Sequence, residues 1–193
     1  MRKLPSRAMQ RRNMPEALNA IHWVAGSIIP LLLALVPPAL ADGDSGAEVV
    51  DTPYEAQKVL FEFYFNDPDQ TAPALYWIRA VMNPLTAAPY EYAPDDLSLK
   101  VVIHGTEIVT LVKHNYEKYR DVVERMRYYS ELGVEFKVCA LAAHDFGYRA
   151  EDFQDFVQVV PSAMTEMAHW QMKGYALIQP RVLEKRFSTE EIR

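Results

Sequence analysis

A single cysteine, Cys139, stands in a chain of 193 residues. One thiol cannot close an internal disulfide. Neither C-x-x-C nor H-x-x-x-H, the spacings that hold zinc, occurs. No G-x-G-x-x-G follows a strand pattern, and there is no P-loop and no G-x-S-x-G. Hydride, phosphoryl and acyl transfer therefore lack their usual signatures. Beyond the first twelve residues, clusters of arginine and lysine are missing too. Nucleic acid and anionic lipid both demand a basic surface, and the net charge here is −6, so neither is expected as a partner. No repeat or low-complexity tract occurs. Hydrophobic residues make up 50% of the chain, which suits one globular domain with a real core.

The first forty residues are built differently. Arg2, Lys3, Arg7, Arg11 and Arg12 make a basic start, and "IHWVAGSIIPLLLALVPPALA" is an apolar run closing on Ala39-Leu40-Ala41. Basic region, apolar region and A-x-A site are the parts of a secretory signal, expected over residues 1–41. The rival reading is an uncleaved membrane anchor. Gly26, Pro30, Pro37 and Pro38 favour cleavage. Arg11-Arg12 continues as Asn13-Met14-Pro15, a poor twin-arginine motif. No cysteine follows the run to carry a lipid. The mature chain is then expected to be periplasmic or secreted, without stable membrane insertion. Its net charge deepens to −10, because the signal holds five basic residues and one acid.

Residues 42–56 read as a flexible acidic leader. "QKVLFEFYFN" (57–66) is aromatic, β-branched and closed by Asn66-Asp67-Pro68, a strand and its turn. Residues 71–83 show helical spacing at Leu75, Ile78, Val81 and Met82; Thr71 fits a cap, Pro73 a first turn, and Asn83-Pro84 a stop. Residues 84–96 form a long loop of the functional or interface-forming kind. "LSLKVVIHG" (97–105) is a second strand. Residues 106–115 fit either a short helix or an extended segment. Residues 116–134 are the clearest helix, with Gly133 at a left-handed cap. Residues 134–140 are a third strand, 151–158 a short helix and 157–162 a short strand or turn. Residues 162–174 are a helix between Ser162 and Gly174, 175–180 a last strand, and 181–193 a polar tail. Strands alternating with helices predict an α/β three-layer sandwich with a mostly parallel sheet.

In such sheets functional groups gather beyond the carboxyl ends of the strands. His104 and Cys139 each close a predicted strand. Period-two alternation puts Glu135, Lys137 and Cys139 on one face and Val134, Phe136, Val138 and Ala140 on the other. The thiol thus shares a mixed polar face with Lys137, a cation of the kind that favours a thiolate. His144 follows in the next loop, and His104 ends a candidate neighbouring strand. A plain buried cysteine is the bland alternative. A Cys139, His104 and His144 metal site stays open as a lesser one, but no metal and no cofactor are expected. On helix 162–174, Met164, Met167, Ala168 and Gln171 share a stripe that reads as core filling, with His169 pointing away.

"KVVIHG", then "YRDVVERMRYYSELGVEFKVCA", then "VQVVPSAMTEMAHWQMKGYALIQP" together resemble the DsrE/DsrF-like family, which includes the YchN-like proteins. "ALYWIRAVMN" is similar to the family's first helix, and the likeness covers most of residues 57–180. The resemblance implies an α/β sandwich that assembles into trimers or hexamers. It also implies that Cys139 matches the cysteine on which sulfur-relay members carry sulfane sulfur as a persulfide, passed between a donor and an acceptor. Those members work in the cytoplasm, whereas this chain reads as exported. Two functions follow as expectations. One is a sulfur carrier on Cys139, supported by Lys137, His104 or His144. The other is a non-catalytic oligomeric ligand-binding or interaction module with a structural cysteine.

Overall fold

The computed structural model describes residues 46–193, and the expected secretory signal lies outside them. Residues 46–56 are exposed throughout. The strands are β1 (Lys58–Phe63), β2 (Ser98–Ile103), β3 (Glu135–Cys139), β4 (Val157–Val160) and β5 (Ala176–Ile178). The helices are α1 (Thr71–Thr86), α2 (Tyr116–Glu131), α3 (Ala140–Asp145), α4 (Ala163–Met172) and α5 (Thr189–Ile192). All strand pairs are parallel, and the sheet runs β4-β3-β2-β1-β5. The fold is therefore an α/β sandwich.

Strand order fixes the layers. The chain steps outward from β1 to β4 and then crosses back to lay β5 beside β1. Right-handed crossovers put helices on one face during the outward steps and on the other during the return. The main core follows that rule: Phe61, Phe63, Val101, Ile103, Phe136 and Val138 pack with Leu75, Ile78 and Met82 of α1 and Met126 of α2. The opposite face carries a smaller cluster of Leu60, Val102, Cys139, Ala163 and Met167, with Trp170 and Tyr175 against it. Each fully buried Leu, Ile, Phe or Met contributes about 1.5–3 kcal/mol.

Several boundaries differ from the sequence reading. Helix α1 continues through Pro84 to Thr86, and Leu85, 5% exposed, seats that last turn in the core. Its N-cap is Gln70; buried Thr71 instead donates its hydroxyl to the Pro68 carbonyl at 2.6 Å. Residues 106–111 and 113–115 are 3-10 turns. The expected helix at 151–158 is absent. Buried Phe153 forms an antiparallel bridge with Val112, and the Gln154 N–H donates to the Leu111 carbonyl at 3.0 Å. These pairings take residues that a helix would need, and only Ala150–Asp152 turn as a 3-10 helix. Conversely, the segment after Cys139 coils into α3.

The start of α4 and the end of α2 follow their end signals. Ser162 Oγ accepts from the Met164 N–H, and Gly133 takes φ +89°, the left-handed cap that turns α2 into β3. The methionine stripe is only partly core. Met167 is buried, whereas Met164 and Met172 are 56% and 81% exposed. Helix α4 packs instead through Ala163, Met167 and Trp170. Among the described residues, no helix is long and apolar enough to cross a membrane.

Candidate functional site

The carboxyl end of the sheet brings three strand ends to one level. The register pairs Phe63 with Ile103 and Ile103 with Val138. One residue further on lie Tyr64, His104 and Cys139, and Cys139 pairs with Val160 of β4. One residue along a strand changes face. These three side chains therefore leave the main core and share the face that α4 covers. The sequence alternation places Cys139 on the correct face.

A cavity of about 470 Å³ opens there, lined by Glu62, Tyr64, His104, Cys139, Leu141, Asp145, Ser162 and Met164 among others. Cys139 is 5% exposed and occupies the residue before the first turn of α3. His104 Nε2 lies 2.9 Å from Glu62 Oε1, and both side chains are 10% exposed. Glu62 Oε2 accepts a hydrogen bond from Gln179 Nε2, just past β5. The imidazole also stacks on Tyr64, with centroids 4.5 Å apart and planes 7° from parallel. A carboxylate accepts only, so this bond puts a proton on Nε2 and leaves Nδ1 as the free nitrogen. His104 is thus held on both its edge and its face. A second cavity of about 520 Å³ lies beside the first, sharing Tyr64, His104, Ala142 and Asp145 and reaching Asn66, Gln70, Gly105 and Phe146.

Glu107 builds the floor behind His104. It is fully buried and accepts the N–H groups of Gly105 at 2.8 Å, Phe65 at 3.0 Å and His104 at 3.2 Å. Burial pushes its carboxyl above the ordinary value, and the backbone N–H groups oppose that rise. The carboxylate thereby ties the end of β1 to the end of β2 and fixes where the imidazole emerges.

Lys137 is otherwise engaged. Its Nζ lies 3.0 Å from Glu135 Oε2 and donates to Gln158 Oε1. Lys100 pairs with the same Glu135 and sits 4.1 Å from the centre of the Trp170 ring. Burial alone would raise the Glu135 carboxyl, but the two ammonium groups reverse this and hold it below its ordinary value. The cluster lies under α4, and Lys137 is not among the residues lining the Cys139 cavity. His144 is exposed on α3 and does not line that cavity either. His104 therefore lines the same cavity as Cys139, and His144 does not. Among the described residues, no three His, Cys, Asp or Glu side chains converge to hold a metal.

Glu62, Tyr64, Gln179 and Glu107 were not singled out by sequence. A signal was present for Glu62, an acid inside "LFEFYF" where an apolar strand would carry none. Thiol, oriented imidazole, carboxylate and open cavity together suit a nucleophile that accepts and releases a small group.

Residues 57–180 match the DsrE/DsrF-like family. The chain belongs to that family. The structure of MTH1491, a protein of unknown function from Methanobacterium thermoautotrophicum, superposes with a TM-score of 0.52 at 20% identity. The likeness covers 64% of this chain and 99% of that one. At this identity it speaks to the fold, and it agrees with DsrE/DsrF-like membership. No curated protein matches the chain.

Proposed function

We propose that this DsrE/DsrF-like chain carries sulfane sulfur as a persulfide on Cys139. The observation that carries the reading is the position of the sole thiol. It lies at the carboxyl end of β3, on a cavity it shares with His104 and Glu62. The chemistry is a transfer without net oxidation. The Cys139 thiolate attacks the outer sulfur of a donor persulfide R–S–SH. A new S–S bond forms at Cys139, the old one breaks, and RS⁻ leaves with the electron pair. Release reverses these roles with an acceptor thiolate. In this reading His104, which lines the same cavity, exchanges the thiol proton through Nδ1 with a molecule held there.

Family membership supports the reading at the level of class. We place the working protein outside the cytoplasm after removal of residues 1–41, as a homo-oligomer of three or six chains. The test is intact mass after incubation with glutathione persulfide. Wild type gains a single sulfur and Cys139→Ser gains none; no gain, or equal gain on both, overturns the proposal.

One observation favours a second reading. Cys139 is only 5% exposed and packs with Leu60, Val102, Ala163 and Met167, as a structural cysteine does. A ligand-binding module with an inert thiol would titrate with a thiol reagent only after denaturation. A carrier titrates in the native state.

A further inference from the structure

On the other side of the sheet, α1 and α2 enclose a cavity of about 300 Å³ lined by Tyr76, Arg79, Arg125, Tyr128 and Tyr129. Arg120, Arg127 and Arg149 each pair with a carboxylate. Arg79 and Arg125, like Arg181, Arg186 and Arg193 near the C-terminus, pair with none among the described residues; Arg125 only donates to the Ala72 carbonyl at 3.3 Å. Two unneutralised guanidinium groups in one cleft stand out in a chain of net charge −6.

Tyr129 supplies an independent observation. It is 7% exposed, yet its hydroxyl makes no hydrogen bond among the described residues. No fully buried side-chain oxygen or nitrogen among the described residues lacks a partner. The hydroxyl must therefore reach solvent, and Tyr129 lines this cavity. Burial raises the Tyr129 phenol above its ordinary value, whereas Arg125 and Arg79 pull it down. The charges felt at that oxygen are thus chiefly positive. Exposed rings of Tyr76 and Tyr128 form the walls, and the Arg79 guanidinium lies 4.8 Å from the centre of the Tyr76 ring.

We infer that this cleft binds a small dianionic oxyanion, phosphate or sulfate, either free or borne on an aryl-sized organic molecule. Guanidinium forks match such oxygens two at a time. The Tyr129 hydroxyl adds a donor from the floor, and the tyrosine walls accept a flat apolar group. A cavity of this size sits at the small end of ligand sites. The site is separate from Cys139 and does not depend on the sulfur-carrier reading.

Calorimetric titration of the full chain at constant ionic strength, with inorganic phosphate in one arm and phenyl phosphate in the other, tests it. Saturable binding is expected for wild type, weaker by about tenfold or more in the Arg79→Gln/Arg125→Gln double variant. Tyr129→Phe, which removes only the hydroxyl, should bind severalfold more weakly. Both arginines are exposed, so unchanged melting of the double variant separates lost binding from lost folding. Equal affinity in the two arms identifies a free ion as the ligand; tighter phenyl phosphate identifies an organic carrier. Absence of saturable binding in both arms, or equal binding by wild type and the double variant, overturns the inference.

Discussion

A Cβ on Gly105 would stand 2.5 Å from Glu107 Oε2 and 2.6 Å from the backbone N and O of Phe65. A side-chain carboxylate can swing aside, but the backbone of the neighbouring strand end has no such freedom. Gly105→Ala should therefore cost about 1–3 kcal/mol, read by urea denaturation, and should disturb the His104 stack. The "HG" at the end of the second strand thus has a physical cause: close packing at Gly105 positions the imidazole before it. Cys139 and His104 were legible in the sequence because each closes an apolar strand. Glu62 and Gln179 were not legible as partners, since 117 residues separate them and only the β1–β5 pairing joins them.

At the scale of elements, α4 covers the Cys139 face, with Ala142 of α3 and Tyr175 beside it. Met167→Ala should cost about 2–5 kcal/mol and speed alkylation of Cys139 in the native state, because the same side chain packs on that cluster. A lower melting temperature without faster alkylation would separate α4 from the thiol's shielding. Beneath α4, the Lys100–Glu135–Lys137 cluster sets a pH dependence. A carboxyl held low in the folded state stabilises fully above its unfolded value near 4.5 and loses that contribution as pH falls through the folded value. Glu135→Gln should melt below wild type at neutral pH, and the gap should close on acidification, as thermal scans across the acid range will show. The elements themselves were largely legible, α4 from Ser162 and Gly174 and α2 from its stripe and Gly133. The helix expected at 151–158 failed because pairing with Leu111 and Val112 is a long-range choice that no local window contains.

Across the whole molecule, strand order decides where chemistry is available. The return to β5 reverses the winding beside β1, so the carboxyl ends of β1, β2 and β3 open under one short helix rather than a full layer. A thiol at the end of β3, an imidazole just past β2 and its carboxylate on β1 line one cavity there although the chain separates them widely. The other face is thickly covered by α1 and α2, and its outer cleft is lined by arginine and tyrosine. The order of the strands and of the three long helices was readable, and so the fold class was readable. Which strand ends become neighbours depends on the sheet order, which the local patterns leave open. The central claim is that Cys139 takes and returns sulfane sulfur. Loading wild type with glutathione persulfide, removing the donor and adding cyanide tests both halves by intact mass. A single added sulfur that cyanide then removes as thiocyanate, and that Cys139→Ser never gains, is the predicted result. A wild-type mass that does not change on loading, or a gain equal to that of Cys139→Ser, contradicts it.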